Sequence, residues 1–410
     1  MNWDLAPVIE RFADIAQTVL ASRDAALDPG IHSFYGPIHT ERKVAARYVR
    51  YHADLMRPGW PTGDPPVVVD AGSGFGFSMI VAALLGASEV RGVEIWAPMV
   101  QTVQTYLPLL PADVAARMKV ERGDVSALPY PDASADLMLS VEAISHYLDV
   151  DAFLNEARRV LRPGGVLVIV DGNNGSNPRI RRKTHEIWHA AECGPAGREV
   201  HGHRLGTPYS EVRRRFLDER FPAIPEETRA HIALRTAGYT TAQLTAAAEQ
   251  HLDSGSLPDS EYRFGQLAIS PAGVAMERLF APRRLARELE RWGFDARAYG
   301  YWGGAGGQPL VRIANRALTM VSPLTMSTAP SFRIIARRRR EDRHGARRLG
   351  GVDLRNRIDP DVPNRGPALV GRALWAHRRP TADREPRGRL DGAAAAGRVA
   401  GVELRRHDRR

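Results

Sequence analysis

A glycine-rich stretch between an apolar run and a helical segment holds the first residues that could do chemistry. Residues 67–76 read Val-Val-Val-Asp-Ala-Gly-Ser-Gly-Phe-Gly. The acidic residue and the glycines are evenly spaced, at Asp70, Gly72, Gly74 and Gly76. Glycines let a ligand approach the backbone closely, and in doubly wound sheets the turn after the first strand binds ligands. We therefore expect a nucleoside here, although Phe77 replaces the third glycine of a dinucleotide fingerprint.

Two further carboxylates follow at the ends of the next two predicted strands. Glu94 ends the second of them and Asp124 follows the third, within Arg-Gly-Asp-Val. A carboxylate offers hydrogen-bond acceptors and no donor, so Glu94 suits the two hydroxyls of a ribose and would repel a 2′-phosphate.

This combination resembles the class I S-adenosylmethionine-dependent methyltransferases, over residues 65–172 and more loosely over 283–338. The resemblance implies S-adenosylmethionine as the methyl donor and no metal. It further implies that Glu94 accepts hydrogen bonds from the ribose, that Asp124 lies near the adenine amino group, and that Asp70 helps to position the cationic methionine end. The glycines would keep the loop low enough for the ligand to lie across it.

The strands and helices that could position these residues alternate along the chain. Strands separated by helices predict parallel pairing and hence an α/β fold with a doubly wound, mostly parallel sheet. We expect four regions along the chain. They are a helical N-terminal lid (1–60), a core in two parts (65–172 and 283–338), an inserted helical cap that selects the substrate (173–282), and a disordered basic tail (341–410).

Acceptor-side residues should follow the fourth and fifth strands or lie in the N-terminal lid. Transfer from a sulfonium needs an acceptor held in line in a water-poor pocket, with a base only where the acceptor requires one. His146 is the expected base for a hydroxyl acceptor, with Tyr147 beside it, and packing is the alternative role for His146. The remaining expected acceptor contacts are Glu142, Asp171, Asn173 and Tyr35, where Tyr35 could instead wedge the first helices onto the sheet.

Composition limits the partners of the folded part. The 410 residues carry a formal charge of +10. However, residues 337–410 hold 21 arginines against 10 acidic residues, which leaves 36 basic and 37 acidic residues in the remainder. A nearly neutral body makes nucleic acid an unlikely partner for the core and favours a small-molecule or a glycan- or lipid-linked acceptor. One cysteine, and no basic, apolar leader at the N-terminus, predict a reducing, cytoplasmic location.

Three competing interpretations stay open at this point. His185-Glu186-x-x-His189 matches a zinc-protease helix, with Glu211 as a conceivable third ligand. The arginine-rich tail could serve an RNA methyltransferase or a nucleic-acid binder. The apolar stretch 309–330 could contact a membrane edge or a lipid-linked acceptor, or it could be core packing.

Overall fold

The structure, a computed structural model, describes residues 3–22, 27–257, 267–271, 276–303, 309–322 and 324–340. These residues divide into two compact units. The first holds the described residues up to Arg181 and from Met276 onward, and the second holds those from Arg182 to Pro271. The tail predicted to be disordered, residues 341–410, lies outside the described residues. No described helix has the length and apolar character needed to cross a membrane.

The first unit begins with three helices, followed by alternating strands and helices. Asp4 caps the first helix by accepting a hydrogen bond from the Ala6 amide, and apolar residues at three-to-four spacing bury one face of that helix. The elements up to the fifth strand are α1 (Leu5–Ala21), α2 (Gly30–Thr40), α3 (Arg42–Met56), β1 (Val67–Ala71), α4 (Phe77–Leu84), β2 (Glu89–Glu94), α5 (Ala97–Tyr106), α6 (Ala112–Ala115), β3 (Met118–Arg122), β4 (Ala135–Val141), α7 (Val150–Val160) and β5 (Leu161–Asp171).

The remaining elements include a mainly helical segment before the chain returns to the sheet. They are α8 (Pro178–Cys193), β6 (Glu199–Val200), β7 (His203–Arg204), α9 (Tyr209–Arg220), α10 (Glu226–Arg235), α11 (Thr241–Ser254), β8 (Leu267–Ile269), β9 (Met276–Arg278), α12 (Pro282–Arg291), β10 (Phe294–Tyr301), α13 (Pro309–Met320) and β11 (Ser331–Arg338).

A seven-stranded sheet in the described residues organises the first unit. Its strand order is β10-β11-β5-β4-β1-β2-β3. Strands β1 to β5 pair in parallel, and β11 is antiparallel to both of its neighbours. This confirms the predicted doubly wound, mostly parallel α/β fold. Because parallel strands end at the same edge, the sheet brings the residues after β1, β2, β4 and β5 together there.

The second unit is built from helices around a small apolar core. Leu217, Ile232 and Leu244 are fully buried in it, one from each of α9, α10 and α11. Arg213 is also fully buried. It forms an ion pair with Glu192, and its Nε donates to the Ala233 carbonyl at 3.0 Å. The arginine therefore supports the interior of this unit.

Helix α13 is the clearest difference from the expected structure. The stretch that contains it could have been core packing under the insertion, yet no α13 residue is buried. Leu310 is 79% exposed, Ile313 65% and Met320 84%. Core packing is therefore wrong for this helix, but it is correct for the end of the same stretch, where Met326 and Ala329 are buried.

Candidate active site

The loop after β1 is fixed to the end of β2 by backbone hydrogen bonds. The amides of Gly72 and Ser73 both donate to the Val93 carbonyl, at 2.9 and 3.1 Å. A Cβ atom on Gly72 would lie 2.7 Å from the Ala143 Cβ, so a side chain there would force the loop away from the end of β4. The loop is thus held between the carboxyl ends of neighbouring strands.

Gly74, at the top of this loop, leaves an open surface. Its φ of +54° is a conformation that glycine adopts without strain. A Cβ atom built on it would meet no atom within 4 Å among the described residues. Its amide donates to Glu94 Oε2 at 3.0 Å. The loop therefore presents bare backbone to open space directly beside a carboxylate.

Glu94 ends β2 and is held by the backbone through both of its oxygens. Oε2 accepts from Gly74, and Oε1 accepts from the Trp96 amide at 2.9 Å. The side chain is only 5% exposed, and burial raises its pKa while the backbone hydrogen bonds and the nearby His146 lower it. A carboxylate can accept about four hydrogen bonds, so acceptor capacity remains for a ligand beside the amides of Gly74, Trp96 and Ile95.

Asp70 lies beneath the loop in β1. It is 2% exposed, and the Ser78 hydroxyl in the first turn of α4 donates a hydrogen bond to its Oδ2. Burial raises the pKa of Asp70 to about 6; the hydrogen bond from Ser78 opposes this, and the charge of Glu94 adds to it. Two buried carboxylates that disfavour each other's charge create a site that favours a cation.

Asp124 follows β3 and closes a turn of its own. Its Oδ1 accepts from the Ser126 amide at 2.8 Å. The Gly123 amide donates to the Glu94 carbonyl at 3.1 Å, which joins the ends of β2 and β3. Asp124 and Glu94 are thus carried by adjacent strand ends. Gly76, the last glycine of the motif, precedes α4 and packs against Tyr106.

Asp171 and His146 form the acceptor-side edge of the site. Asp171, at the end of β5, accepts from the amides of Ser145 and Asn173, at 3.1 and 2.8 Å. Burial raises the pKa of Asp171, and the hydrogen bonds and the charge of His146 lower it. His146 is half-buried in a short 3₁₀ turn after β4 and interacts electrostatically with both Asp171 and Glu94.

Tyr147 has a hydroxyl that is already engaged within the fold. It donates to the Ala71 carbonyl at 2.7 Å and lies 2.9 Å from the Ser140 hydroxyl. Its ring packs edge-on against Phe153, with centroids 4.7 Å apart. These contacts join the ends of β1 and β4 and give Tyr147 a structural role, while its part in catalysis stays a prediction.

Tyr35 belongs to α2 and packs against the start of α4. Its ring stacks on Phe77, with the centroids 4.2 Å apart and the planes 8° from parallel. Burial raises the pKa of its hydroxyl to about 12, and that hydroxyl is hydrogen-bonded with Tyr48 of α3. These contacts match the wedging alternative, while contact with a substrate stays a prediction. The carbonyl of Asn173, another predicted contact, accepts from the Phe280 amide at 3.0 Å.

Glu142 directly follows β4 in an unusual conformation. Its φ is +51°, in the left-handed region that side chains rarely adopt, and its amide donates to the Val170 carbonyl at 2.7 Å. Oε2 accepts from the Gly172 amide at 3.0 Å. Oε1 is buried without a hydrogen-bond partner in the part of the chain that the structure describes. Burial and the charge of Asp171 raise the pKa of Glu142 well above its usual value.

Comparison with known proteins identifies the domain that holds this site. Residues 69–169 match a family described as a methyltransferase domain. The match begins within β1 and ends within β5, so it contains the glycine loop, Glu94 and His146. This is a class I S-adenosylmethionine-dependent methyltransferase domain. The resemblance expected from the sequence is confirmed at the level of the domain.

Curated relatives of the methyltransferase domain act on varied acceptors. The chain is 38% identical over 177 residues to 2-methyl-6-phytyl-1,4-hydroquinone methyltransferase of Synechocystis sp., and the alignment covers 40% of this chain and 54% of the relative. It is 36% identical over 104 residues to 27-O-demethylrifamycin SV methyltransferase of Amycolatopsis mediterranei, covering 25% and 38%. It is 30% identical over 147 residues to malonyl-[acyl-carrier protein] O-methyltransferase of Pseudescherichia vulneris, covering 36% and 53%. The chain thus spans about half or less of each relative.

The zinc-protease alternative is not favoured. The described residues hold no group of three or more His, Cys, Asp or Glu side chains that could bind a metal ion. Glu186 forms a hydrogen bond with His201 Nε2, and the ring of His185 packs near that of Trp188. The match to His-Glu-x-x-His therefore lies on a helix whose polar side chains have other partners.

Sequence reasoning missed several residues of the methyltransferase domain's surroundings. Ser78, which bonds Asp70, lies in an apolar helix start where a serine gives little signal. Tyr51 of α3, together with Tyr301 and Arg333 of the antiparallel strands, forms a buried polar group near Glu142. The available signal was Arg333, which lies between apolar residues in the strand that begins at Ser331.

Proposed function

We propose that this protein transfers a methyl group from S-adenosylmethionine to an O, N or C nucleophile of a small-molecule acceptor. The observation that carries this proposal is the set of buried carboxylates at one sheet edge, Asp70, Glu94 and Asp171. Burial raises the pKa of each of them. Such a group is stabilised by a cationic ligand, and S-adenosylmethionine is a cation that supplies an electrophilic methyl group when bound.

The methyl donor would be held by the glycine loop and the carboxylates of the first three strands. The open side of Gly74 supports close approach of the ligand. The free acceptor positions of Glu94 support hydrogen bonds from the two ribose hydroxyls. Asp70 would favour the cationic methionine end through its charge, directly or through water, and Asp124 would lie near the adenine amino group.

On the acceptor side, His146 is the proposed base where the acceptor is a hydroxyl. Its position in the short turn after β4, where it interacts electrostatically with Glu94 and Asp171, supports a role at the acceptor-side edge. Asp171 would hold His146 in place. Tyr147 is retained as a proposed neighbour of the reaction, and Asn173 and Tyr35 as proposed acceptor contacts.

A small-molecule acceptor is supported by the names of the relatives, two of which act on a hydroquinone and on a rifamycin derivative. A glycan- or lipid-linked acceptor is a second candidate, supported by the exposed apolar side chains of α13. We propose that residues 309–330 contact a membrane edge in that case. The helical unit between β5 and α12 would select the acceptor. The nucleic-acid alternative rests on the tail outside the described residues and is not favoured.

A methyl-transfer assay tests this proposal. The full chain is incubated with S-adenosylmethionine and a mixture of small-molecule acceptors. Formation of S-adenosylhomocysteine and the gain of one methyl group in an acceptor are followed by mass spectrometry. We expect both products together, and we expect Glu94→Ala to abolish both. No binding of S-adenosylhomocysteine by the wild-type chain would refute the proposal.

A further inference from the structure

A buried polar group lies where helix α3 packs over the two antiparallel strands. Arg333 Nη1 of β11 lies 3.3 Å from Asp54 Oδ2 of α3, and its guanidinium lies 5.1 Å from the centre of the Tyr301 ring. The Tyr51 and Tyr301 rings are 5.9 Å apart. The four side chains thus come from α3, β10 and β11, beside the end of β5, because Arg333 pairs with Val170.

Two atoms of this group have no hydrogen-bond partner within the described ranges of the chain. They are Tyr51 Oη and Arg333 Nε, and both are buried. Tyr51 is 8% exposed as a whole residue. A buried polar atom without a partner costs about 1–3 kcal/mol, so native proteins rarely keep one unless something else pairs with it.

Glu142, directly after β4, adds a third such atom. Its Oε1 is buried without a partner in the described part of the chain, while Oε2 is held by Gly172. Glu142 interacts electrostatically with Tyr51 and with Tyr301. Its left-handed backbone costs roughly 1–3 kcal/mol, and strain of this kind is concentrated at functional sites.

The three atoms have the same hydrogen-bonding character. Burial raises the pKa of the Tyr51 hydroxyl well above its usual value, so it keeps its proton and donates. Arg333 Nε is a permanent donor. Glu142 Oε2 accepts from the Gly172 amide, so a proton on this carboxyl group would lie on Oε1 and make Oε1 a donor, and burial and the charge of Asp171 raise the pKa of Glu142 well above its usual range. Three donors without an acceptor are complementary to the lone pairs of an oxygen atom.

We propose that Tyr51 Oη, Arg333 Nε and Glu142 Oε1, together the donor cluster, bind an oxygen of the methyl acceptor. The acceptor class is then a compound with a carbonyl, carboxylate or phenolic oxygen close to the methylated position. The inference rests on the proposed function, because Glu142 follows β4 and Tyr51 interacts electrostatically with Asp171 at the acceptor-side edge. The Arg333 cation and two neutral donors would stabilise negative charge on that oxygen.

The variant Tyr51→Phe tests the proposal most cleanly. It removes a hydroxyl that has no described partner, so we expect the melting temperature to stay the same or to rise. For an oxygen-bearing acceptor, we expect kcat/KM to fall about 5- to 150-fold, because the acceptor oxygen loses one donor. The affinity for S-adenosylhomocysteine should not change.

Tyr130→Phe is the matched control. The Tyr130 hydroxyl is also buried without a partner among the described residues, and its ring lies under the Arg91 guanidinium. The same chemical change should leave methyl transfer unaltered. If Tyr51→Phe and Tyr130→Phe gave equal rates, the hydroxyl of Tyr51 would have no role in acceptor binding and the proposal would be wrong.

The variant Glu142→Gln distinguishes a role of Glu142 as a hydrogen-bond donor from a role as a general base. Glutamine keeps the size of the side chain and can still donate a hydrogen bond, but it cannot accept a proton from the acceptor. We expect Glu142→Gln to retain most of the wild-type kcat/KM at neutral pH and Glu142→Leu to lose it. A loss in Glu142→Gln as large as in Glu142→Leu would contradict a donating Glu142.

The probes are labelled S-adenosylmethionine with 2-methylhydroquinone and 4-hydroxybenzoate, compared with 2-methylaniline. We expect labelled product from at least one oxygen-bearing compound and none from the amine. Transfer to the amine alone, or to no probe while S-adenosylhomocysteine still binds, would overturn the donor cluster as the acceptor site. Absence of S-adenosylhomocysteine binding would instead refute the proposed function.

Discussion

The open surface at Gly74 leads to a prediction that separates ligand binding from folding. Replacing Gly74 by alanine places a methyl group where no described atom lies within 4 Å. The variant keeps the amide that donates to Glu94. In the folded protein the left-handed backbone at this residue costs roughly 1–2 kcal/mol for alanine. A loss of this size lowers the melting temperature by about 2–8 °C in a unit of this size.

We expect Gly74→Ala to weaken ligand binding in addition to lowering stability. If the methyl donor lies across the loop, the added methyl group overlaps with it, and overpacking typically costs about 1–3 kcal/mol. We therefore expect the Kd for S-adenosylhomocysteine to rise about 5- to 150-fold in Gly74→Ala. Calorimetry measures this Kd, and thermal unfolding of the same samples measures the stability.

Gly86 provides the matched control for this experiment. Its φ is +98°, and a Cβ atom on it would also meet no described atom within 4 Å, but it follows α4 at the opposite end from the loop. Gly86→Ala should lower the melting temperature by a similar amount and leave the Kd unchanged. Wild-type affinity in Gly74→Ala would refute a ligand that lies across the loop.

Four further predictions follow from the site. Burial raises the pKa of Asp70 to about 6. Asp70 therefore contributes about 3 kcal/mol to the free energy of unfolding at a pH below its pKa in the unfolded chain, and this contribution is lost as the pH rises through about 6. Asp70→Asn should remove this pH dependence of the melting temperature. His146→Asn should lower kcat for a hydroxyl acceptor about 10²- to 10⁴-fold and leave the Kd for S-adenosylhomocysteine within a few-fold of wild type. Tyr147→Phe should lower the unfolding free energy by about 1–3 kcal/mol in denaturant titrations, because it leaves a buried carbonyl at the end of β1 without its donor. Leu310→Ser with Ile313→Ser should reduce co-sedimentation of the protein with anionic phospholipid vesicles.

Controls of matched chemistry accompany these variants. Tyr130→Phe loses no described hydrogen bond, so this variant should be as stable as the wild type. If Tyr130→Phe and Tyr147→Phe were destabilised equally, the predicted structural role of the Tyr147 hydroxyl would be wrong. His231→Asn changes an exposed histidine of the helical unit and should not affect kcat. Leu234→Ser and Leu252→Ser change exposed leucines outside α13, and an equal loss of vesicle binding in either would argue against a specific role for α13.

The parallel core could be predicted from the sequence almost element by element. Buried parallel strands read as runs rich in valine, and in this sequence the run 67–71 coincides with β1 and the run 90–95 lies one residue from β2. Strand β5 begins at Leu161, before the valine-rich run 166–170 of the sequence, because its pairing with β4 extends across Pro163 and Gly164 with a register shift. A Pro-Gly pair usually indicates a turn, and the continued pairing was not visible in the sequence.

Contacts between distant segments could not be predicted in the same way. Tyr51 and Arg333 are far apart in the chain, and they come together only because β11 inserts antiparallel beside β5 while α3 covers it. The left-handed backbone of Glu142 also has no sequence signal, since glutamate rarely adopts it. The residues expected to bind the cofactor could be found from their spacing in the sequence. The residues on the acceptor side come together only through tertiary packing.

One titration tests the central claim most directly. The full chain and its Glu94→Gln variant are titrated with S-adenosylhomocysteine in a calorimeter, and Glu121→Gln, a change at an exposed residue of β3, serves as the control. Glutamine at 94 cannot accept from both the Gly74 and the Trp96 amides and offers fewer acceptors to a ribose. We predict one ligand bound per chain by the wild type and the control, and a Kd raised about 10- to 150-fold in Glu94→Gln. Equal affinity in all three proteins, or no binding by the wild type, would contradict the claim that a sulfonium nucleoside binds between the glycine loop and Glu94.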